Sequence, residues 1–166
     1  MNKFINLNRP SFFLKEKTFL NECINSGWIS TSGNFVNDFE KKISKFTGSK
    51  YAIACSSGTS ALQIALNVCG VNHDDEVIIP TITFIAPVNA IKYNGAYPVF
   101  IDVDDNFNLD INKLIIFLKK ETFFKNGFTY NKKTKRIIKA ILPVHVWGNA
   151  VDLEPILKIM KQKNIK

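Results

Sequence analysis

The sequence predicts an α/β fold in which a mainly parallel sheet carries helices on both faces. Apolar runs alternate with helical patterns from Tyr51 onward, and these runs hold apolar residues at consecutive positions, as strands buried on both faces do. A cluster of small residues follows the first run, where a helix begins. The chain has 166 residues, of which 46% are hydrophobic and 22% charged. This length and balance are typical of one globular domain with a core.

Two helices are predicted before the first strand. Pro10 precedes a helical stripe of apolar residues that ends at Gly27, and helical spacing resumes over residues 34–46. The second helix carries acidic residues early and lysines late, as the helix dipole favours. We therefore predict an N-terminal helical segment over residues 1–50 and a sheet domain over residues 51–166.

The remaining elements follow in alternation. Four apolar runs are predicted to be strands of one sheet: Tyr51–Cys55, Val77–Ile79, Val99–Val103 and Ile137–Val144. The helices predicted between and after them are Ala61–Val68, Phe84–Tyr93, Ile111–Lys119 and Leu153–Lys163. The polar segment Glu121–Arg136 is predicted to be an insertion that forms a hairpin.

The charge of the chain raises the question of nucleic-acid binding. The formal net charge is +8, and lysines cluster at residues 119–120, 132–139 and 158–166. These clusters lack the interleaved aromatic residues of a nucleic-acid-binding motif, so solvated basic faces are the favoured interpretation. A basic nucleic-acid-binding domain is a remote alternative.

Cysteine usage and hydropathy bear on the cellular compartment. Cys23, Cys55 and Cys69 show neither the spacing nor the neighbouring histidines of a metal site, so we predict free thiols and no bound metal. No run approaches the roughly 18 apolar residues of a membrane span, and the start lacks a signal-peptide core. We expect a cytoplasmic protein that does not associate with the membrane.

Small residues after the first predicted strand could bind a phosphate. The segment Ser56–Leu62 places hydroxyls and Gly58 at the start of a helix, where free N–H groups and the helix dipole favour an anion. Serine and threonine are also ordinary helix N-caps, so the segment alone leaves both interpretations open.

Two further residues follow predicted strands at the same edge of the sheet. Phe84 could fill the core or cover a planar cofactor, and His145 could be a structural hydrogen-bonding residue or a functional one. Ligands of parallel α/β sheets bind at the carboxyl ends of the strands. The shared location of Phe84, His145 and the Ser56–Leu62 segment strengthens the prediction of a ligand site.

Six motifs in a fixed order carry a resemblance to a known family. They are GWIST (27–31), FE (39–40), SSGTSAL (56–62), DEVIIPTITFIAPVNAI (75–91), G-x-x-PVF-x-D (95–102) and PVHVWGN (143–149). Their order and spacing resemble the nucleotide-sugar aminotransferases of the DegT/StrS group through essentially the whole chain. Residues 126–149 are most similar to the LegC-type branch of that group.

The resemblance implies a fold and an activity. Residues 51–166 would be the first part of the large domain of a fold type I transferase that depends on pyridoxal 5′-phosphate. The full-length enzyme would aminate carbon 4 of a UDP-linked 4-keto-6-deoxy-N-acetylhexosamine in surface-sugar biosynthesis. Glutamate would be the amino donor, and the enzyme would be a homodimer.

The resemblance also implies roles for individual residues. The cofactor phosphate would sit on the backbone N–H groups of Thr59 and Ser60, next to Gly58. Phe84 would stack on the pyridine ring. His145, together with Trp147, would support the cofactor pocket. The residues implied near the sugar substrate are Ser30, Thr31 and Gly33.

No catalytic residue is predicted within these 166 residues. The family resemblance places the aspartate that pairs with the pyridine nitrogen, and the lysine that holds the cofactor, in motifs that follow this segment. We therefore expect the chain alone to be inactive. The alternative is a non-catalytic remnant, or a split half that needs a second chain.

Overall fold

The computed structural model describes residues 4–166 and divides the chain after Ala54 into two compact units. The helices of the described residues are α1 Leu14–Ser26, α2 Asn34–Thr47, α3 Gly58–Val68, α4 Ile85–Tyr93, α5 Ile111–Lys120 and α6 Leu153–Lys163. Their strands are β1 Glu76–Pro80, β2 Tyr97–Ile101, β3 Thr122–Lys125, β4 Phe128–Asn131 and β5 Ile138–Ile141. Among these residues, no helix has both the length and the apolar character that crossing a bilayer requires.

The first unit holds α1 and α2. Each helix ends at a glycine in the left-handed region, Gly27 after α1 and Gly48 after α2, and glycine adopts that backbone conformation without steric cost. Phe19 of α1 lies against Phe35 of α2, with their ring centroids 5.3 Å apart. Aromatic packing therefore joins the two helices.

A three-stranded parallel sheet organises the second unit. Its order is β2-β1-β5, so β1 is the central strand and pairs in parallel with a neighbour on each side. All five residues of β1 are buried. A strand that is apolar at consecutive positions and buried on both faces is typical of parallel sheets covered by helices.

Two hydrophobic cores lie on the opposite faces of this sheet. Ile78 belongs to the core that includes Leu114 of α5 and Ile156 of α6. Val77 and Ile79 belong to the core that includes residues of α3 and α4. Since successive side chains of a strand point to opposite faces, α5 and α6 cover one face and α3 and α4 the other. The predicted α/β class, with a mainly parallel sheet between helices, is confirmed.

The prediction of a strand at Tyr51–Cys55 is wrong. This segment is irregular, and the described sheet has three strands rather than four. The Ala54 N–H donates a hydrogen bond to Glu40 Oε1 at 2.8 Å. In a strand, this N–H group would instead donate to the backbone of a neighbouring strand. Tyr51 and Ile53 are exposed. The apolar run therefore lacks the burial that its pattern suggested.

The predicted hairpin is confirmed. Strands β3 and β4 pair antiparallel, and Phe123 stacks on Tyr130 with the ring centroids 5.3 Å apart. Glu76 of β1 fixes the hairpin to the sheet, because its carboxylate accepts hydrogen bonds from Asn131 Nδ2 (2.9 Å) and Thr134 Oγ1 (2.6 Å). A carboxylate that is only 2% exposed requires such partners.

Candidate functional site

Three loops meet at the carboxyl edge of the parallel sheet. They follow β1, β2 and β5, which run in the same direction and therefore end at the same edge. Helices α3 and α4 each lead toward the start of a sheet strand, so their own N-termini lie toward this edge as well. Parallel α/β sheets bind ligands at such an edge, and the candidate site is located here.

The start of α3 presents backbone donors. The first intrahelical hydrogen bond is from the Ala61 N–H to the Ser57 carbonyl (3.0 Å), so the N–H groups of the three preceding residues point out of the helix end. Ser57 is the N-cap, and its hydroxyl already accepts from the Ser60 N–H at 3.2 Å. Gly58 and Thr59 therefore offer the N–H groups for an anion, whereas the family resemblance implies those of Thr59 and Ser60.

The side chains at this helix start differ in exposure. Gly58 is exposed, and Thr59 and Ser60 are half-buried. The Ser60 hydroxyl lies 3.0 Å from the Ser57 hydroxyl. A Cβ atom built on Gly58 would meet nothing within 4 Å. Gly58 is therefore not required by the packing of the chain itself, and the open space leaves room for a ligand.

A cavity of about 430 Å³ lies between the loops that follow β1 and β5. Residues 82–84 and 144–147 line it, so Phe84 and His145 lie together, as predicted from the order of the strands, and Trp147 lies beside them. Phe84 is the N-cap residue of α4, and its side chain is 77% exposed, so it does not fill the core. Gly58, Thr59 and Ser60 are not among the lining residues of this cavity.

His145 has a defined orientation in the cavity wall. Its Nδ1 accepts a hydrogen bond from the Val151 N–H at 3.0 Å. An imidazole nitrogen that accepts a hydrogen bond carries no proton, so the neutral ring has its proton on Nε2. One nitrogen of His145 therefore stabilises the loop that carries it. The other nitrogen, Nε2, has an N–H group that can donate to a ligand.

Sequence reasoning missed the contacts that hold Trp147. The Phe107 ring meets the Trp147 ring edge to face at 5.1 Å. Asn108 donates to the Ala150 carbonyl (3.4 Å), and Asn149 donates to the Asn106 carbonyl (3.2 Å). These contacts join the loop after β2 to the loop after β5. The asparagine-rich sequence around Phe107 suggests a turn, but nothing in it indicates its partners.

Thr83 is a second residue that sequence reasoning missed. It lines the cavity next to Phe84, and its hydroxyl oxygen is buried without a hydrogen-bond partner among residues 4–166. An unpaired buried hydroxyl is costly, by about 1–3 kcal/mol. A polar group on a ligand in this cavity could satisfy the hydroxyl after rotation of the threonine side chain.

An ion pair lies at the same edge, directly after β2. Lys113 Nζ contacts Asp102 Oδ2 at 2.6 Å and Asp110 Oδ2 at 3.7 Å. The pKa of Asp102 is held below its ordinary 3.8. The largest cause is the hydrogen bond from the Lys113 ammonium, and the next is the hydrogen bond from the Val103 N–H. The hydrogen bond to Asp102 likewise raises the pKa of Lys113 above 10.5. Lys113 therefore stays protonated at neutral pH.

The ion pair gives a titration prediction. In Lys113→Met we expect the pKa of Asp102 to rise toward 3.8, while the Val103 N–H keeps part of the depression. Because the folded-state pKa of Asp102 is lowered, its contribution to stability is present above the unfolded pKa and is lost as pH falls through the folded value. Carboxyl NMR titration measures the change, with Lys119→Met as the control. An unaltered Asp102 titration in Lys113→Met would contradict the assignment.

The residues predicted near the sugar substrate lie in the first unit. Ser30 and Gly33 line a cavity of about 260 Å³ together with apolar side chains of α1 and α2, and Thr31 is not among its lining residues. Gly33 precedes α2 with φ of 145°, and a Cβ atom there would lie 3.4 Å from Trp28 Cβ. Glycine is thus required at this position by its backbone conformation and by Trp28.

The sequence profile described as the DegT/DnrJ/EryC1/StrS aminotransferase family matches residues 14–166. The chain belongs to this family. The match includes both units and every motif of the predicted resemblance, which is therefore confirmed.

Two curated relatives illustrate the family. GDP-perosamine synthase of Escherichia coli O157:H7 is 39% identical over 163 residues, covering 98% of this chain and 41% of that protein. UDP-4-amino-4-deoxy-L-arabinose–oxoglutarate aminotransferase of Shewanella sediminis is 32% identical over 165 residues, covering 99% of this chain and 38% of that protein. The chain thus spans about two-fifths of the length of these relatives.

Solved structures share the fold. A putative sugar aminotransferase of Streptococcus pneumoniae in its PLP form has a TM-score of 0.78 and 28% identity, over 95% of this chain and 36% of that one. The same protein in its PMP form also has a TM-score of 0.78. The relatives' structures therefore include forms with the cofactor and with its aminated counterpart.

Proposed function

We propose that these residues are the amino-terminal part of an aminotransferase that uses pyridoxal 5′-phosphate and acts on a nucleotide-linked keto sugar. The observation that carries the proposal is the exposed Phe84 ring on the wall of the cavity at the carboxyl edge of the sheet. An aromatic side chain of this size is normally buried, and its exposure beside a cavity supports a role in binding a planar ligand.

The residues at the sheet edge suit the parts of the cofactor. The N–H groups of Gly58 and Thr59 would hold the phosphate at the positive end of α3, and the Thr59 and Ser60 hydroxyls would add hydrogen bonds. Phe84 would lie on one face of the pyridine ring. His145 would donate from Nε2, and Thr83 has a buried hydroxyl to satisfy. The bound cofactor would supply an electron sink for moving an amino group from donor to ketone.

The substrate class is proposed more finely from the resemblance to the LegC-type branch. We propose a UDP-linked 4-keto-6-deoxy-N-acetylhexosamine as acceptor and glutamate as donor, with Ser30, Thr31 and Gly33 near the sugar, in a homodimeric enzyme. The two curated relatives are named for a GDP-linked and a UDP-linked sugar, so they differ in the nucleotide base. Comparing UDP-, GDP- and dTDP-linked keto sugars tests this choice.

We also propose that the residue that attacks the cofactor lies outside this chain. None of the residues lining the cavity of Phe84 and His145 is a lysine. Lys113 lies at the same edge, but its ammonium group is paired with Asp102 and Asp110 and it does not line the cavity. The residues described here would thus bind and orient the cofactor without attacking it.

The test uses the gene product that carries these 166 residues, called here the full-length polypeptide. We expect Phe84→Ala to weaken cofactor binding by roughly 1 kcal/mol, because one stacking contact is lost. Thr59→Ala should cost a comparable amount, about 0.5–1.5 kcal/mol, through the lost hydroxyl. Equilibrium titration with pyridoxal 5′-phosphate measures both effects.

Two matched variants serve as controls. Thr59→Ser keeps the hydroxyl and should retain the cofactor as well as the unsubstituted protein does. Phe124→Ala removes an exposed ring from β3, away from the cavity, and should leave binding unchanged. Equal affinity in Phe84→Ala, Thr59→Ala and the controls would show that the pocket has been misplaced.

A further inference from the structure

The cavity wall holds the rings of Phe84 and Trp147, and the family resemblance gives Trp147 only a supporting position beside the cofactor pocket. Trp147 is 81% exposed, which is similar to the exposure of Phe84. Trp147 follows β5, whereas Phe84 follows β1. An indole exposed in a cavity wall presents a flat apolar surface that a ligand can cover.

The backbone at Trp147 supports this interpretation. Its φ of 51° and ψ of 25° lie in the left-handed region, which is unfavourable for a bulky residue. Strained conformations of this kind persist where the surrounding structure fixes them, and they concentrate at ligand sites. At Trp147 the surroundings are the Phe107 ring and the hydrogen bonds of Asn108 and Asn149.

The two rings lie in segments that pack with helices of opposite sheet faces. Phe84 begins α4, which packs with α3, so it lies on the side of the proposed phosphate donors. Trp147 is held by the loop that leads into α5, and the neighbouring residues Leu109 and Val151 belong to the core under α5 and α6. A cofactor that reaches both α3 and Phe84 would leave Trp147 for a second ligand in the same cavity.

We propose that Trp147 is the platform for the hexose ring of the nucleotide-sugar substrate, with Phe107 as its positioning residue. This proposal rests on the proposed function, because it assigns the Trp147 ring to the nucleotide-sugar substrate of the proposed aminotransferase. One face of a pyranose consists of C–H groups that stack on an indole, and the His145 N–H next to Trp147 can donate to a sugar oxygen. The class of ligand is therefore a hexose linked to a nucleoside diphosphate.

The test compares the binding of nucleotide sugars with the binding of the corresponding nucleotides. It uses the full-length polypeptide loaded with cofactor. The probes are UDP-N-acetylglucosamine against UDP, and GDP-mannose against GDP, with affinities from calorimetry. The contribution of the sugar is the ratio of the affinity for the nucleotide sugar to the affinity for the nucleotide alone. Trp147→Ala should lower this ratio about tenfold and leave the affinity for the nucleotide alone unchanged. Trp147→Phe keeps a ring and should lose about threefold or less.

Phe107 is tested by the same measurement and by fluorescence. Phe107→Leu should reduce the sugar-dependent affinity about threefold and should diminish the change in Trp147 emission that the sugar nucleotide causes. The part of the emission change that comes from Trp147 should be absent in Trp147→Phe, whereas any part that comes from Trp28 should remain. Phe124→Leu replaces an exposed ring elsewhere and should alter neither quantity.

Three outcomes would overturn the proposal. Equal loss of affinity for nucleotide and nucleotide sugar in Trp147→Ala would assign the indole to the base. Loss of cofactor from Trp147→Ala would assign it to the cofactor pocket. Binding of neither probe pair to the unsubstituted protein would also refute it. Failure of the proposed function is a separate result, since the unsubstituted protein would then fail to bind pyridoxal 5′-phosphate.

Discussion

Replacing Ile78 with alanine is expected to destabilise the fold of the second unit by about 2–5 kcal/mol. Ile78 is fully buried at the middle of β1, the strand that pairs on both sides. Its side chain packs in the core formed under α5 and α6. Removing three carbon atoms there loses their transfer free energy and leaves a cavity that a strand held on both sides cannot close.

Ile116→Ala provides the matched control for this prediction. It removes the same atoms from α5, where the isoleucine side chain is 51% exposed, and alanine favours the helix. We expect a change below about 1 kcal/mol. Urea unfolding followed by circular dichroism measures both variants. Similar midpoints for Ile78→Ala and Ile116→Ala would mean that β1 is not the centre of the core.

The second large effect concerns activity. The isolated 166-residue polypeptide, mixed with pyridoxal 5′-phosphate, is expected to aminate no nucleotide-linked keto sugar. Borohydride treatment with equimolar cofactor should trap no specific lysine, so mass spectrometry should find only scattered, substoichiometric labelling of surface lysines. The physical reason is that none of the residues lining the cavity is a lysine, so no amine is positioned there to hold the cofactor.

The control for this experiment is the full-length polypeptide under the same conditions. It should retain the cofactor through a lysine and aminate the sugar. In a second experiment, the isolated chain is mixed with a polypeptide that supplies the remaining residues. Turnover should be restored if the two assemble. Turnover by the isolated chain would refute the assignment of the catalytic lysine to residues outside it. The location of the modified lysine would then identify the correct residue.

The helices and central strand could be predicted because their local signals agree with the packing. Leu153–Lys163 was predicted with the observed bounds, and the Asp110 side chain caps α5 by accepting from the Lys113 N–H. The consecutive apolar residues of β1 indicated burial on both faces, and the two cores confirm it. In each case the residues that favour the element locally also provide its tertiary contacts.

The strand predicted at Tyr51–Cys55 shows where such reasoning fails. An apolar run indicates that burial is favourable, but a strand also needs a neighbour for its backbone groups. The Glu40 carboxylate, 14 residues earlier, accepts from the Ala54 N–H instead. A side chain from a preceding helix is a tertiary partner, and the run itself carries no sign of it.

The candidate site was predictable in part for the same reason. Phe84 and His145 each follow a strand, and parallel strands bring such residues to one edge, so their meeting could be inferred from the order of elements. The contact of Phe107 with Trp147 joins residues 40 positions apart in two loops, which no periodic pattern specifies. Several neighbouring residues are of a type suited to cap α3, so the choice of Ser57, which occupies the Ser60 N–H, depends on local geometry.

The central claim is that the carboxyl edge of this sheet holds pyridoxal 5′-phosphate, and a crystal structure of the full-length polypeptide with that cofactor tests it most directly. We expect the phosphate within hydrogen-bond distance of the Gly58 and Thr59 N–H groups and the pyridine ring parallel to the Phe84 ring. Cofactor density at another location, with Phe84 and the start of α3 facing only solvent or protein, would contradict the claim.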